Sequence, residues 1–250
     1  MKKLTLVIAV AAAFSATFAH AEDKKPDNEF TYNVALSSDY RFRGISQSRL
    51  QPAISVGADF VNNPTGFYVG TWASSIKWIT DTTNADGTKG KGNIEIDVYG
   101  GKRGEIVKDV SYDVGVLTYI YPSNNLKPAS AATTEIYGQI GYGPAYIKYS
   151  SSVTNAFANP NSKNSGYLDI GANIDIAEGT QLNLHAGHQK IKNGSFYSYS
   201  DYKIGVTKDF GVVSLSAAII GSDAKKGAYS TPSGKDNGKT ALVVAISKTF

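Results

Sequence analysis

The sequence predicts an all-β protein, a transmembrane antiparallel up-and-down β-barrel of twelve strands, and three observations predict it. Twelve stretches alternate apolar and polar residues over lengths that cross a bilayer as tilted strands. The connectors between them alternate short and long as far as the terminal Phe250. No apolar run beyond residue 21 approaches the roughly 20 residues that a spanning helix needs, so in lipid only a closed barrel satisfies the backbone.

The chain opens with Met1, Lys2 and Lys3, then the apolar run 4–18 and the small-x-small triplet Ala19, His20, Ala21, which together read as a secretory signal peptide, 1–21, cleaved after Ala21. Residues 22–29 are charged, contain Pro26 and read as a polar lead-in; 30–250 read as a single barrel domain. Losing Lys2 and Lys3 lowers the formal charge from +4 to +2, too weak a basic bias for nucleic acid. The chain has no cysteine, which excludes a disulfide framework and thiolate metal sites and suits an oxidising periplasm.

The first strand, 30–43, sets Phe30, Tyr32, Val34, Leu36, Tyr40 and Phe42 on one face and Thr31, Asn33, Asp39, Arg41 and Arg43 on the other. The chain turns through 44–51 and returns as 52–61, with Ile54, Val56, Ala58 and Phe60 toward lipid and Asp59 inward. Residues 62–65, Asn-Asn-Pro-Thr, make a tight reversal. The strand 66–78 leaves its parity open, since Tyr68, Trp72, Ile76 and Trp78 compete with Phe67 and Val69. A long polar connector, 79–92, follows.

Strand 93–100 sets Ile94, Ile96 and Val98 against Glu95, Asp97 and Tyr99, and 110–121 sets Val114, Val116 and Ile120 against Asp113 and Tyr119. The connector 101–109 between them is longer than the other short ones. Strands 134–142 and 145–152, with Glu135 and Lys148 inward, flank a Gly143-Pro144 reversal between the long segments 122–133 and 153–165. In 167–176, Leu168, Ile170, Ala172, Ile174 and Ile176 share the oily face, opposite Asp169 and Asp175. A short turn leads to 181–188 with His185 inward; 190–198 is long, 199–208 carries Asp201 and Lys203 inward, and 212–220, the long segment 221–239 and 240–250 complete the order.

A soluble sandwich shares the period-two pattern but has no reason to keep connector lengths alternating, whereas bacterial outer-membrane barrels have an even strand count with short periplasmic turns and long outer loops. Aromatics gather at both ends: Phe30, Tyr32, Phe60, Phe67, Tyr142 and Phe210 near short turns, and Tyr40, Phe42, Trp78, Tyr121, Tyr197 and Tyr199 near long loops. These are expected to be the two interfacial girdles.

Leu242, Val244, Ile246 and Phe250 share one face of the last strand, which is similar to the carboxyl-terminal signal that barrel-assembly machinery recognises; Lys248 departs from that pattern. Residues 38–48, Ser-Asp-Tyr-Arg-Phe-Arg-Gly-Ile-Ser-Gln-Ser, followed by Gln51-Pro52-Ala53 and Gly57-Ala58-Asp59-Phe60, resemble the signature of the TorF porin family. The resemblance implies an outer-membrane barrel of porin type and says little about the solute. Arg41 and Arg43 with Asp39 and Asp59 are expected to form an arginine–carboxylate ladder that fixes the first loop against the wall, or else constricts the pore and binds solute.

Catalysis and metal binding find little footing. His185 and His188 lie three apart and point to opposite strand faces, and residue 187, where a lipid-hydrolysing barrel would carry serine, is Gly. The Asp81–Gly92 stretch lacks the ligand spacing of a dedicated calcium loop, and Gly141-Tyr142-Gly143 precedes no helix that could cradle phosphate. The expected function is therefore a passive channel without cofactor or metal, exported through the periplasm to the outer membrane. Its expected partners are membrane lipid, the assembly machinery and small solutes or ions. Twelve strands make a narrow bore, and its lumen candidates comprise nine carboxylates, Asp39, Asp59, Glu95, Asp97, Asp113, Glu135, Asp169, Asp175 and Asp201, against Arg41, Arg43, Lys148 and Lys203, which favours cations. The alternative is a plugged structural or adhesive barrel whose outer loops bind a partner.

Overall fold

A computed structural model describes residues 26–250; the expected signal peptide, 1–21, lies outside the described residues. The elements are β1 (Asn28–Ser37), β2 (Arg41–Phe42), β3 (Ile45–Ser46), β4 (Ala53–Asn62), β5 (Phe67–Ser75), the one-turn helix α1 (Trp78–Asp81), β6 (Ile94–Val107) and β7 (Val110–Ile120). They continue with β8 (Thr133–Tyr142), β9 (Ala145–Ser152), β10 (Gly166–Ala177), β11 (Thr180–Lys190), β12 (Tyr199–Asp209), β13 (Ser214–Ser222) and β14 (Ala241–Thr249). All except β2 and β3 form one closed barrel in which each strand pairs antiparallel with its chain neighbours. This is the expected twelve-stranded fold. Closure runs through β1 and β14, with Asn33 opposite Thr249 and Ser37 opposite Ala245, and Tyr32 and Phe250 exchange backbone bonds of 3.2 and 2.8 Å. Among the described residues the barrel leaves no free edge to recruit a foreign strand.

Alternation sorts the side chains as the sequence expects. On β10, Ile170 is 51 % exposed on the outer face while Asp169 is 2 % exposed inside. The undecided strand β5 sends Phe67 and Val69 out and buries Tyr68 and Trp72 within. Phe30, Tyr32, Phe67, Tyr142 and Phe210 form an exposed aromatic band at the short-turn end.

Three expectations need correction. The first strand ends at Ser37, not Arg43, because Asp39 accepts bonds from the Ser46 and Ser48 hydroxyls at 2.5 and 2.9 Å, and such local bonds compete with a sheet ladder. It also begins earlier, taking Asn28 and Glu29 from the expected lead-in by pairing them with Asn62 and Val61. Residues 101–107 are strand, not connector: β6 runs on past Gly100 and Gly101, sets Arg103 opposite Asp113, and turns at Lys108 and Asp109, the latter at φ 64°. Two glycines and a charged run hide that alternation in the sequence. Finally, the girdle expected at the long-loop end is mostly interior: Tyr40, Tyr121 and Tyr199 are buried and Phe42 and Trp78 half-buried, leaving Tyr197 exposed.

Candidate pore, its inward loop and the chamber above it

Residues 38–52 leave the wall and fold into the lumen. Their tip is the β2–β3 hairpin, whose two central residues, Arg43 at φ 47° and Gly44 at φ 79°, both take the positive φ that a type I′ turn requires. Asn, Asp or Gly suits such a position; an arginine held there costs roughly 1 kcal/mol or more. Gly44 is required for a second reason, because a Cβ on it would stand 2.6 Å from Asp201 Cβ and 2.9 Å from the Gly221 carbonyl, so the tip touches the facing wall.

Arg43 explains the strained turn. Its Nη2 donates to Glu135 Oε2 at 2.7 Å and its Nη1 to Glu135 Oε1 at 3.1 Å and Gln189 Oε1 at 2.6 Å. The guanidinium lies 4.1 Å from the Tyr167 ring centroid and 4.7 Å from that of Phe42. A bidentate, stacked, buried pair of this kind is the strong form of the arginine–carboxylate contact. The rest of the loop is tied all round: the Tyr40 hydroxyl donates to Glu95 at 2.5 Å, Arg41 Nε to Asp39 at 2.5 Å, and Arg41 Nη1 to the Asn237 and Lys239 carbonyls at 2.9 and 3.0 Å. The expected ladder thus holds between Arg41 and Asp39. Arg43 instead crosses the lumen to Glu135, and Asp59 accepts the Tyr99 hydroxyl at 2.6 Å.

Below the loop the wall is a tyrosine–carboxylate network. Tyr68 donates to Asp113 at 2.6 Å and shares a hydrogen bond with the Tyr137 hydroxyl, over whose ring the Lys148 ammonium sits at 4.0 Å. His185 is held at both nitrogens, Nδ1 to Asp169 at 2.8 Å and Nε2 to Asp201 at 2.7 Å, with the Tyr167 hydroxyl 2.9 Å from Asp201 Oδ2. Both ring nitrogens are thus engaged by carboxylates, and Nε2 also lies 3.1 Å from the Tyr167 hydroxyl. His188, on the outer face, meets Ser200 instead. Lys203 faces His185 across the β11–β12 pair; Asp175 is exposed at the short-turn end beside Gln181; Asp97 is buried, and its Oδ1 has no partner among the described residues. Arg103, absent from the expected lumen set because its segment reads as a turn, stands 5.4 Å from the Tyr68 ring. Tyr68, Tyr137 and Tyr167 were likewise outside that set. Their inward parity is legible, but aromatic residues also read as ordinary strand formers.

Above the loop lies a chamber of about 330 Å³, floored by Phe42, Ser46 and Gln47 and walled by residues from the other long segments, among them Trp78, Tyr121, Phe157 and Tyr229. Burial, and then the neighbouring Tyr197 phenol, hold the Tyr229 hydroxyl above its ordinary pKa, so it stays neutral.

A model of a bacterial family of unknown function, Gcw_chp, matches residues 20–250. No curated protein matches the chain. Among solved structures, the KdgM porin in complex with disordered oligogalacturonate superposes with a TM-score of 0.56 at 7% identity, covering 88% of this chain and 98% of that one. A second KdgM porin structure gives 0.55 at 7% identity over the same shares, and the COG4313 outer membrane channel from Pseudomonas putida F1 gives 0.47 at 11% identity over 93% and 98%. At such identities the likeness to the KdgM structures shows a common fold, the closed outer-membrane-type barrel. The family matched bears a different name from TorF.

Proposed function

We propose, for a chain that belongs to the Gcw_chp family of bacterial proteins of unknown function, that it is a narrow outer-membrane channel gated by its own first long loop. The observation that carries this reading is the inward loop, seated by Arg43 on Glu135 in a lumen otherwise lined by titratable and hydroxyl groups. The KdgM porins share the fold, and the residue 38–60 signature resembles that of TorF porins; both support a passive channel for small solutes or ions. In this reading residues 1–21 direct export and are removed, the short turns face the periplasm, and the long loops face outward. His185, locked between two carboxylates, serves the wall and not catalysis. The same inward loop also favours a second reading, a permanently plugged structural or adhesive barrel. Single-channel recording on the refolded protein separates the two: discrete conductance steps support the channel, and a silent bilayer at every voltage supports the plug.

Ion selectivity follows from the lumen charge. Arg103 joins the expected bases, yet carboxylates still outnumber them, and lumen charges are screened less than the loop lysines at the mouth. Under a potassium chloride gradient the reversal potential is expected to show a modest cation preference that shrinks when Asp97 and Asp169 are changed to Asn. An anion preference in the unmodified protein, or no shift in the double variant, would refute the assignment.

Assembly is proposed to rest on the last strand, whose Leu242, Val244, Ile246 and Phe250 are all exposed along one outer face, an apolar stripe that suits the assembly machinery and lipid. Deleting Phe250 is expected to lower the amount of heat-modifiable barrel in the outer membrane. Undiminished assembly would show that this residue is not part of the signal.

A further inference from the structure

The chamber above the loop has walls of a chemistry that the lumen does not share. Its rings meet edge to face: Trp78 and Tyr121 have centroids 5.3 Å apart at 88°, Tyr199 and Tyr229 5.2 Å at 76°, and Phe42 and Phe157 5.4 Å at 64°. Phe42 and Phe157 are also met by Tyr119 and by the Arg43 guanidinium, and Tyr121 and Tyr199 are buried, so the lining rings left partly exposed to meet a ligand are those of Trp78, Tyr197 and Tyr229. Charge is nearly absent from the lining, where Asp81 is the one ionised side chain and is itself clamped by Arg49. The remaining polar groups are neutral, including Ser46, Gln47, Asn159 and Asn237. Two chamber residues also carry unspent hydrogen-bonding capacity: Trp78 Nε1, a donor, and Asn237 Oδ1, an acceptor, are covered without a partner among the described residues. A buried group left so costs free energy that a ligand's hydroxyl could recover once these side chains turn toward it.

We propose that this chamber is a binding site for a neutral saccharide of one or two rings, the first station for a solute entering the channel. The proposal deepens the channel reading and rests on it for the solute's onward passage, not for binding. The flat faces of a pyranose present C–H groups with partial positive charge, which the negative faces of aromatic rings attract. Its rim presents hydroxyls that both donate and accept, as the neutral amides and hydroxyls of the lining require. An anionic sugar finds no lysine or arginine in the lining to neutralise it, and a cation finds no unpaired carboxylate. The volume of about 330 Å³ lies at the small end of ligand pockets and suits a short saccharide instead of a chain.

Calorimetry on the refolded full chain, with maltose, glucuronate and choline as neutral, anionic and cationic probes, tests the assignment. Maltose is expected to bind saturably and to shift the emission of Trp78 in a Trp72→Phe background. Tyr229→Ala is expected to weaken maltose about tenfold, the loss of one stacked ring, while the heat-modifiable barrel band is retained. Should that variant fail to fold, Tyr197→Ala probes the same wall. Tighter binding of choline or of glucuronate, or no saturable binding of maltose, would overturn the proposal. Because binding is read without current, a silent bilayer together with saturable maltose binding would refute the channel and leave the site standing.

Discussion

Replacing Arg43 with Ala is expected to raise single-channel conductance several-fold and to free the loop 38–52 from the lumen. Arg43 makes the loop's buried ion pair with the far wall, and both side chains of its pair with Glu135 are nearly excluded from solvent, at 4% and 3% exposure. Removing the guanidinium leaves Glu135 and Gln189 buried without their partner, which in comparable buried pairs costs about 3 to 5 kcal/mol. Each ~1.4 kcal/mol is a factor of ten in an equilibrium, so the docked loop would lose its advantage by roughly two to nearly four orders of magnitude. The barrel wall does not depend on this contact, so heat-modifiable migration should persist while protease access to the loop increases. The double variant Arg43→Ala/Glu135→Gln should recover part of the docking, since no bare carboxylate remains. An unchanged conductance in the single variant would mean that the loop does not occlude the path.

Ile170→Arg is expected to destabilise the folded barrel by ~2 to 4 kcal/mol, against a small effect for Asn173→Arg, because the first side chain faces lipid near the middle of the wall and the second faces the lumen. Ile170 stands half-way along β10 with Ile147 and Ala186 on either side, and half of its surface is exposed on the outer face. Asn173 pairs with Asn183 inside, where Asn183 donates to its side-chain oxygen at 2.7 Å. Urea titration of the refolded barrel in lipid vesicles measures both, and equal costs at the two positions would contradict the facing of β10.

The barrel is written in the local pattern of the chain. Strand parity is a local property of the backbone, so Leu168, Ile170 and Ile174 on one side and Asp169 on the other declare their faces without reference to any distant residue. Segment 101–107 follows the same rule, with Arg103 opposite Asp113, and as strand it makes the alternation of short and long connectors more regular. The candidate lumen was legible to the same extent, because Glu95, Asp113, Glu135, His185 and Asp201 lie on inward parity wherever the strands are regular. Where the long segments go depends instead on the folded whole. The run 38–43 continues the alternation of β1, yet it leaves the wall at the local bonds to Asp39 and is held inside by Glu135, Gln189 and Tyr167, all roughly a hundred residues or more from Arg43 in the chain. The aromatics expected at the outer interface were drawn inside for the same reason: Tyr40 meets Trp72 and Glu95, and Trp78 meets Tyr121, in a space that exists only after twelve strands have closed. Periodicity reports which face a side chain takes on its own strand, whereas the contents of the lumen depend on contacts between residues far apart in sequence, which no local pattern encodes.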